Sequence, residues 1–403
     1  MSIQLRETFR ALRHRDFRLF LLGQVVSLTG TWMQGLAQSW LVYRLTHSTL
    51  LMGTIGFATH FPVLLLGPVA GVVADRVSRR RLVIAAQTVF MIQCLLVAAL
   101  TLTGRVTVTH ILFLAIFWGA ANAFEIPARQ SLYIHLVGAE DLLNAIALNS
   151  MTFNAARVVG PAMGGFFVAA FGEGICFLLN GLSFTGVLAS LLIMRTPEPA
   201  RDNTQERSAL QHIREGFAYA WHQRKVRVLL AITALANLAV TPVIVLGPVF
   251  ADEIFHRGAR GLGFLSGAVG FGAVIGTLAL ARKSGESGME RIVQAGAVST
   301  AAAILLFSVS PSFLLSLAAS VGLGFSIFRQ LASTNSLIQT TIRDEYRGRI
   351  MALYSMTVVG MLPVGNLAAG ATAAAIGVRA TVFCGALLAA LAALWWTYEL
   401  RRS

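Results

Sequence analysis

The chain has 403 residues, 56% of them hydrophobic and 12% charged, with a formal net charge of +14. Soluble domains carry roughly 25% charged residues, and half that share cannot cover a folded surface of this size, so a water-soluble fold is excluded. The apolar residues come in runs long enough to cross a bilayer, and the positive charge collects at the ends of these runs, where it is a topological signal rather than a nucleic-acid-binding face.

Arg6, Arg10, Arg13, Arg15 and Arg18 precede an apolar run too long for a signal-peptide core and without a clean cleavage site, which predicts a retained first span. Membrane helices are predicted over 17–44, 49–74, 82–103, 107–129, 143–171 and 175–195, then over 227–251, 260–281, 291–309, 312–340, 349–376 and 379–400. The expected fold is an all-α membrane protein of twelve helices in two six-helix bundles. The first covers 1–195 and the second 227–403, with a polar cytoplasmic loop over 196–226. With the N-terminus inside, 25 of the 32 Lys and Arg fall in cytoplasmic segments, Arg129 among them, and 5 fall in outer loops. Arg157 and Arg329 lie within spans. This asymmetry places both termini in the cytoplasm of a multi-pass protein of the inner membrane.

The two halves repeat at an offset of 205 residues. Gly67 and Gly71 match Gly272 and Gly276, Ala147–Thr152 matches Ala352–Thr357 at most positions, and Gly160 and Gly165 match Gly365 and Gly370. An offset spanning six helices keeps paired helices in the same orientation, as in transporters whose substrate path runs between parallel halves.

The loop after the second span reads Gly67-Pro-Val-Ala-Gly71-Val-Val-Ala-Asp75-Arg76-Val-Ser78-Arg79-Arg80-Arg81. Gly67 and Gly71 share a helix face and allow close helix contact. The loop resembles the signature loop of the major facilitator superfamily, with Ser78 in place of a family glycine. The resemblance implies that Asp75 and the neighbouring Arg76, Arg79 and Arg80 act as a conformational switch, with Arg349 as a partner for Asp75. The alternative is an exposed aspartate beside four arginines. In the fifth span, Gly160-Pro161-Ala-Met-Gly164-Gly165 predicts a bent, tightly packed helix. It is also similar to one end of the motif of antiporting exporters in that superfamily. The run from Glu125-Ile-Pro127-Ala-Arg129 through Asp141 and Asn144 to Pro161, with Arg347-Gly348-Arg349, resembles the enterobactin-exporter-like, or transmembrane secretion effector, branch. The resemblance implies export of small molecules, including siderophores and drugs, by alternating access, driven by protons. Two departures stand out: Thr31 where related exporters carry an acidic residue, and no arginine near Ala115.

Ionisable residues at bilayer depth are costly and need a reason. Glu125, in the fourth span, is the candidate proton carrier, with Arg157 as modulator. The alternative is a fixed Glu125–Arg157 or Glu125–Arg129 pair that orients helices. Arg329 is a candidate for attracting an anionic substrate. The convergent polar and aromatic groups Trp32, Gln34, Gln38, Asn122, Asn154, Asn237, Asn335 and Gln339 complete the candidate pocket. Each is otherwise an ordinary interhelical hydrogen-bonding residue. His60 reads as a structural buried histidine, and Cys94, Cys176 and Cys384 as core residues without metal or disulfide spacing.

The expected partners are a small-molecule substrate, protons and the bilayer, for a monomer without cofactor, metal or nucleic acid. A lipid or lysolipid flippase, an uncoupled facilitator and a non-transporting sensor are the alternatives. An enzyme is not expected, since no H-E-x-x-H, no G-x-S-x-G, no acidic pair within a span and no phosphate loop is present.

Overall fold

A computed structural model describes residues 9–195, 217–281 and 288–402. The predicted central loop falls largely on 196–216, outside the described residues, as does the side chain of Asp75. After a 3₁₀ turn at Arg10–Arg13 the chain is helical throughout, with no strand among the described residues. The first helices are α1 (Arg15–Thr46), α2 (Thr49–Arg76) and α3 (Arg79–Leu102). A helical run over Val108–Phe171 follows, broken at Gly138 (φ 74°, ψ 173°) into α4 before it and α5 after it, and then α6 (Glu173–Ile193). The second half contains α7 (Arg224–Val245), a short turn at Gly247–Val249, a π-helical turn at Phe250–Ile254, α8 (Gly258–Ala281) and α9 (Met289–Val309). It ends with α10 (Phe313–Thr341), α11 (Asp344–Ile376) and α12 (Val378–Leu400). Ten of these helical runs are long and apolar enough to cross a membrane by length and composition. The α4–α5 run holds two spans, and α1 falls below the hydropathy of the rest because it carries Arg15, Asp16, Arg18, Gln24, Gln34 and Gln38. Twelve membrane helices result.

The fourth and fifth spans differ from the expected arrangement. No loop follows Arg129; α4 continues two turns further and buries Leu132, Tyr133, Leu136 and Val137. Helix is interrupted where Gly138 takes a left-handed φ that a Cβ disfavours. Arg129 is therefore a half-buried helical residue and not part of a loop.

The repeat extends to the helix ends. Thr107 and Ser312, one offset apart, cap α4 and α10, each hydroxyl accepting from the backbone N–H three residues on. Gly172 and Gly377, again one offset apart, end α5 and α11 with φ of 81° and 86°.

By contacts the chain forms two compact units, Met1–Leu41 with Pro62–Glu206, and Val42–Phe61 with Arg207–Ser403. In the first, α3 packs on α4 and α6. Phe17, Phe20, Leu132, Tyr133, Leu136, Val187 and Leu191 form its core near the start of α1, and Phe90, Trp118 and Phe184 stack higher up. In the second, α10 packs on α8 and α9, and α7 on α11 and α12. Lipid tails give apolar helices little reason to associate, so close backbone approach carries much of the packing. A Cβ on Gly324 would sit 1.9 Å from the Val269 carbonyl oxygen, and on Gly272 2.0 Å from that of Val321. Large exposed residues such as Leu22, Leu65, Leu143 and Leu314 face outward, a liability in water and ordinary in a bilayer.

Candidate functional site

Glu125 is 4% exposed and pairs with Arg129 one turn on, Nε to Oε1 2.7 Å. The Gln87 amide donates to the same carboxylate (3.3 Å). Arg129 reaches Tyr133 Oη (3.4 Å), which donates to Asn149 (2.6 Å), while Phe17 and Phe20 pack edge-on against the Tyr133 ring. One largely buried chain of polar groups thus joins α3, α4 and α5. Of the pairings open to Glu125, Arg129 is the one formed. Arg157 instead lies over the rings of Trp32 (5.4 Å) and Phe153 (5.2 Å), held by cation–π attraction between α1 and α5.

The pocket candidates divide. Gln34 is buried inside the first unit, donating to Gln93 (3.2 Å) and accepting from Asn180 (2.5 Å) and the Cys94 thiol (2.7 Å). This knot ties α1 to α3 and α6, so Gln34 is a bundle-interior residue and not a pocket residue. Trp32, Gln38, Asn122 and Asn154 are half-buried, and Asn154 donates back to the Ser150 carbonyl (2.8 Å). In the second unit, Asn237 donates to the Thr233 carbonyl (2.9 Å), Arg329 lies over Phe325 (5.4 Å), and exposed Gln339 donates to Asn335 (2.5 Å). His60 bonds the Gly56 carbonyl through Nδ1 (2.9 Å) and lies 3.5 Å from the Asn366 amide.

Gly160 and Gly164 stand where α5 crosses α1. A Cβ on Gly160 would meet the Trp32 Cβ at 2.5 Å and the Thr29 carbonyl at 2.8 Å. Pro161 and Gly165 are buried beside them. Gly67 and Gly71 behave otherwise: a Cβ on either meets nothing within 4 Å. In α2 the tight approach falls at Gly53 and Gly56, against Asn366 and Gly370 of α11. The basic loop is knitted into the first unit. Ser78 caps α3 by accepting from the Arg81 N–H. Arg79 bonds His135 (2.9 Å), and Arg80 donates to the carbonyls of Leu191 (2.7 Å) and Leu192 (3.1 Å), closing the end of α6. Arg76 is exposed, and Arg349 lies over Tyr346 (5.5 Å).

Sequence reasoning passed over two features. The amide partners of Glu125 (Gln87), Tyr133 (Asn149) and Gln34 (Gln93 and Asn180) are neutral groups whose type carries no site signal, though all are polar interruptions of apolar runs. At the other end of α1, Tyr43 contacts the neighbouring carboxylates Asp252 and Glu253. The only sequence signal there was an acidic pair at the end of a span.

One cleft in the first unit is an open apolar groove of about 390 Å³ between α1 and α5. The 3₁₀ turn closes one end with Phe9 and Leu12, and Leu21, Val25, Met151 and Ala155 form its walls. The turn is fastened by Arg10, which donates to Asp141 and to the Glu140 carbonyl (2.8 Å), and by His14, 2.8 Å from Asp141.

Twelve apolar helices in two repeated halves, with a carboxylate–arginine pair inside a span, define a secondary transporter of the major facilitator type. The chain matches the model of the transmembrane secretion effector family over residues 6–402 and belongs to that family. It is 22% identical to the staphyloferrin A transporter of Staphylococcus aureus (strain NCTC 8325 / PS 47), over 90% of this chain and 91% of the relative. It is 26% identical to the enterobactin exporter EntS of Shigella flexneri, over 96% and 93%. Among solved structures it is similar to the nucleoside transporter NupG, with TM-score 0.76 and 12% identity over 96% of this chain and 99% of that one. A bacterial homologue of the iron transporter ferroportin in an inward-facing state gives TM-score 0.74 and 16% identity over 95% and 98%. At these identities the solved structures speak for the fold alone.

Proposed function

We propose that this transporter exports small amphipathic or anionic molecules, of the siderophore or drug type, across the inner membrane by alternating access and proton antiport, with both termini cytoplasmic. The observation that carries the coupling is Glu125, a carboxylate 4% exposed inside a membrane helix and held by one arginine and one amide. Relatives named for siderophores support the substrate class. The α1–α5 groove favours a second reading, a substrate with an acyl chain, because nearly all of its lining is apolar. Asp75 and Arg349 keep the proposed switch role, and the half-buried polar groups other than Gln34 keep the proposed pocket role.

The test is reconstitution in liposomes with an internal pH dye, under imposed gradients of siderophores, dyes and lysolipids, comparing wild type with Glu125→Gln. Antiport requires that a substrate gradient move protons in wild type and not in the variant. Equal substrate movement in both, without a pH change, makes Glu125 structural and the protein a facilitator or flippase.

A further inference from the structure

The apolar groove between α1 and α5 ends beside a cluster of cations. Its walls from α1 are Leu21, Val25 and Thr29, and those from α5 include Leu148, Met151 and Val159. Arg18 stands three residues before Leu21 and seven before Val25, a spacing that puts all three on one face of the helix. Arg13 follows Leu12 in the 3₁₀ turn that closes the groove. Both arginines are exposed, and so is Arg195, whose backbone N–H bonds Asp16 near the start of α1 (2.9 Å). Two acids at this end already have cationic partners. Asp16 takes Arg15 (3.2 Å), and Asp141 takes Arg10 and His14. Glu140 is exposed and opposes an anion here, against three exposed arginines.

We propose that this groove holds one acyl chain of an anionic phospholipid, such as phosphatidylglycerol, with the head-group phosphate on Arg13 and Arg18. Length, flanks and charge converge on that occupant. At 1.5 Å per residue, α5 rises about 16 Å between Leu148 and Val159, close to half of the ~30 Å hydrocarbon core and so to one leaflet. Beside the groove, Leu22 and Val26 of α1 and Leu143 and Ile146 of α5 are exposed, which gives the second chain an apolar surface outside it. A guanidinium meets phosphate oxygens through paired N–H donors, and basic pockets between membrane helices attract anionic head groups. A zwitterionic lipid brings a cation of its own to the same arginines and gains less.

Such a lipid bridges α1 and α5 within the first unit, and the 3₁₀ turn forms the rim of its site. Asp141 holds that turn through Arg10 and His14, so it shapes the groove without touching the lipid. The leaflet is the one that contains the N-terminal end of α1, whichever side of the membrane that is. The groove is the one that the acyl-chain reading above assigns to a substrate, but a resident lipid is bound without transport, and the proposal does not rest on that reading.

The test uses the full chain in phosphatidylcholine liposomes without transport substrate. The liposomes carry a trace of phosphatidylglycerol or phosphatidylcholine with a photoreactive diazirine at the end of one acyl chain, and labelled peptides are identified by mass spectrometry after illumination. In wild type at low salt, the phosphatidylglycerol probe labels peptides covering 25–29 and 151–159 about tenfold more than the phosphatidylcholine probe, and the ratio falls toward one as salt screens the arginines. Arg13→Gln combined with Arg18→Gln brings the ratio near one, while Arg13→Lys combined with Arg18→Lys keeps most of it. Ala155→Trp, which fills the groove, removes labelling there by both probes and leaves labelling at exposed Leu391 and Leu394 of α12 unchanged. Equal labelling by the two probes in wild type, an unchanged ratio in the double glutamine variant, or undiminished labelling in Ala155→Trp overturns the proposal. Should the variants fail to fold, the probe ratio and its salt response in wild type decide alone. Labelling requires no transport, so failure of the liposome export assay refutes transport and leaves this result standing.

Discussion

Glu125 and Arg129 offer the sharpest test of how the first unit tolerates charge in a membrane. Their 2.7 Å contact corresponds to about 6 kcal/mol of Coulomb attraction at an effective dielectric of about 20. Burying both ions costs several kcal/mol each, so the intact pair is close to neutral for stability. Removing one member is different, because only 16% of the Arg129 side chain and 6% of the Glu125 side chain are exposed. Glu125→Gln and Arg129→Gln are each expected to cost about 3 kcal/mol, which lowers the melting temperature by roughly 5–10 °C. The double variant leaves no orphaned ion and loses less than the sum, with a coupling of about 2 kcal/mol. The assay is thermal unfolding of the three variants in detergent, followed by circular dichroism. Additive losses would refute the reasoning, since they would mean that each charge is satisfied independently of the other.

Two further outcomes follow from the same structure. Hydrogen bonds from His14 and Arg10 hold the Asp141 carboxyl below the usual carboxylate range, so the folded state favours its ionised form. The clasp on the 3₁₀ turn is therefore intact above the ordinary aspartate pKa of about 3.9 and is lost as pH falls through the lowered folded value. Pepsin cleavage at Phe9 or Leu12 should rise only below about pH 4 in wild type, and should be fast throughout the acid range in Asp141→Asn. Gly324→Ala places a methyl against the Val269 carbonyl and should destabilise the second unit by about 1–3 kcal/mol or prevent its accumulation. Gly67→Ala, with open space around it, should change the melting temperature by no more than roughly 0.5 kcal/mol would.

The twelve spans were legible because each needs about 20 apolar residues, and a run of that length is rare outside a bilayer. The boundary between α4 and α5 was not. Gln130–Val137 mixes polar and apolar residues in a way that suits a loop or an interfacial helix equally, and only the packing of Leu132, Tyr133 and Leu136 on Phe17 and Phe20 selects helix. The place of Arg129 within the helix, one turn from Glu125, follows from that packing, and with it the choice among the pairings open to Glu125. Gln34 shows a second kind of limit. A glutamine in a membrane helix signals that some partner exists, yet residue type does not distinguish a group that faces a substrate from one that bonds a neighbouring helix. Asn180, at 0% exposure and outside every motif, supplies that partner.

The repeated glycines carry this limit to its physical cause. Gly67 and Gly71 share a pattern with Gly272 and Gly276, and helical spacing places each pair on one face. Gly272 and Gly276 press on the backbone of α10, while Gly67 and Gly71 touch nothing. The same glycine spacing yields opposite packing because a missing Cβ permits close approach without supplying a partner. In α8 the partner is α10, brought in by Gly324 from the other side. In α2 the tight contacts lie earlier, at Gly53 and Gly56, within the segment Val42–Phe61 that packs with the second unit. Pro62, the first residue after the tight segment, removes one backbone hydrogen bond at the point where the tight and open stretches meet and lets the helix bend there.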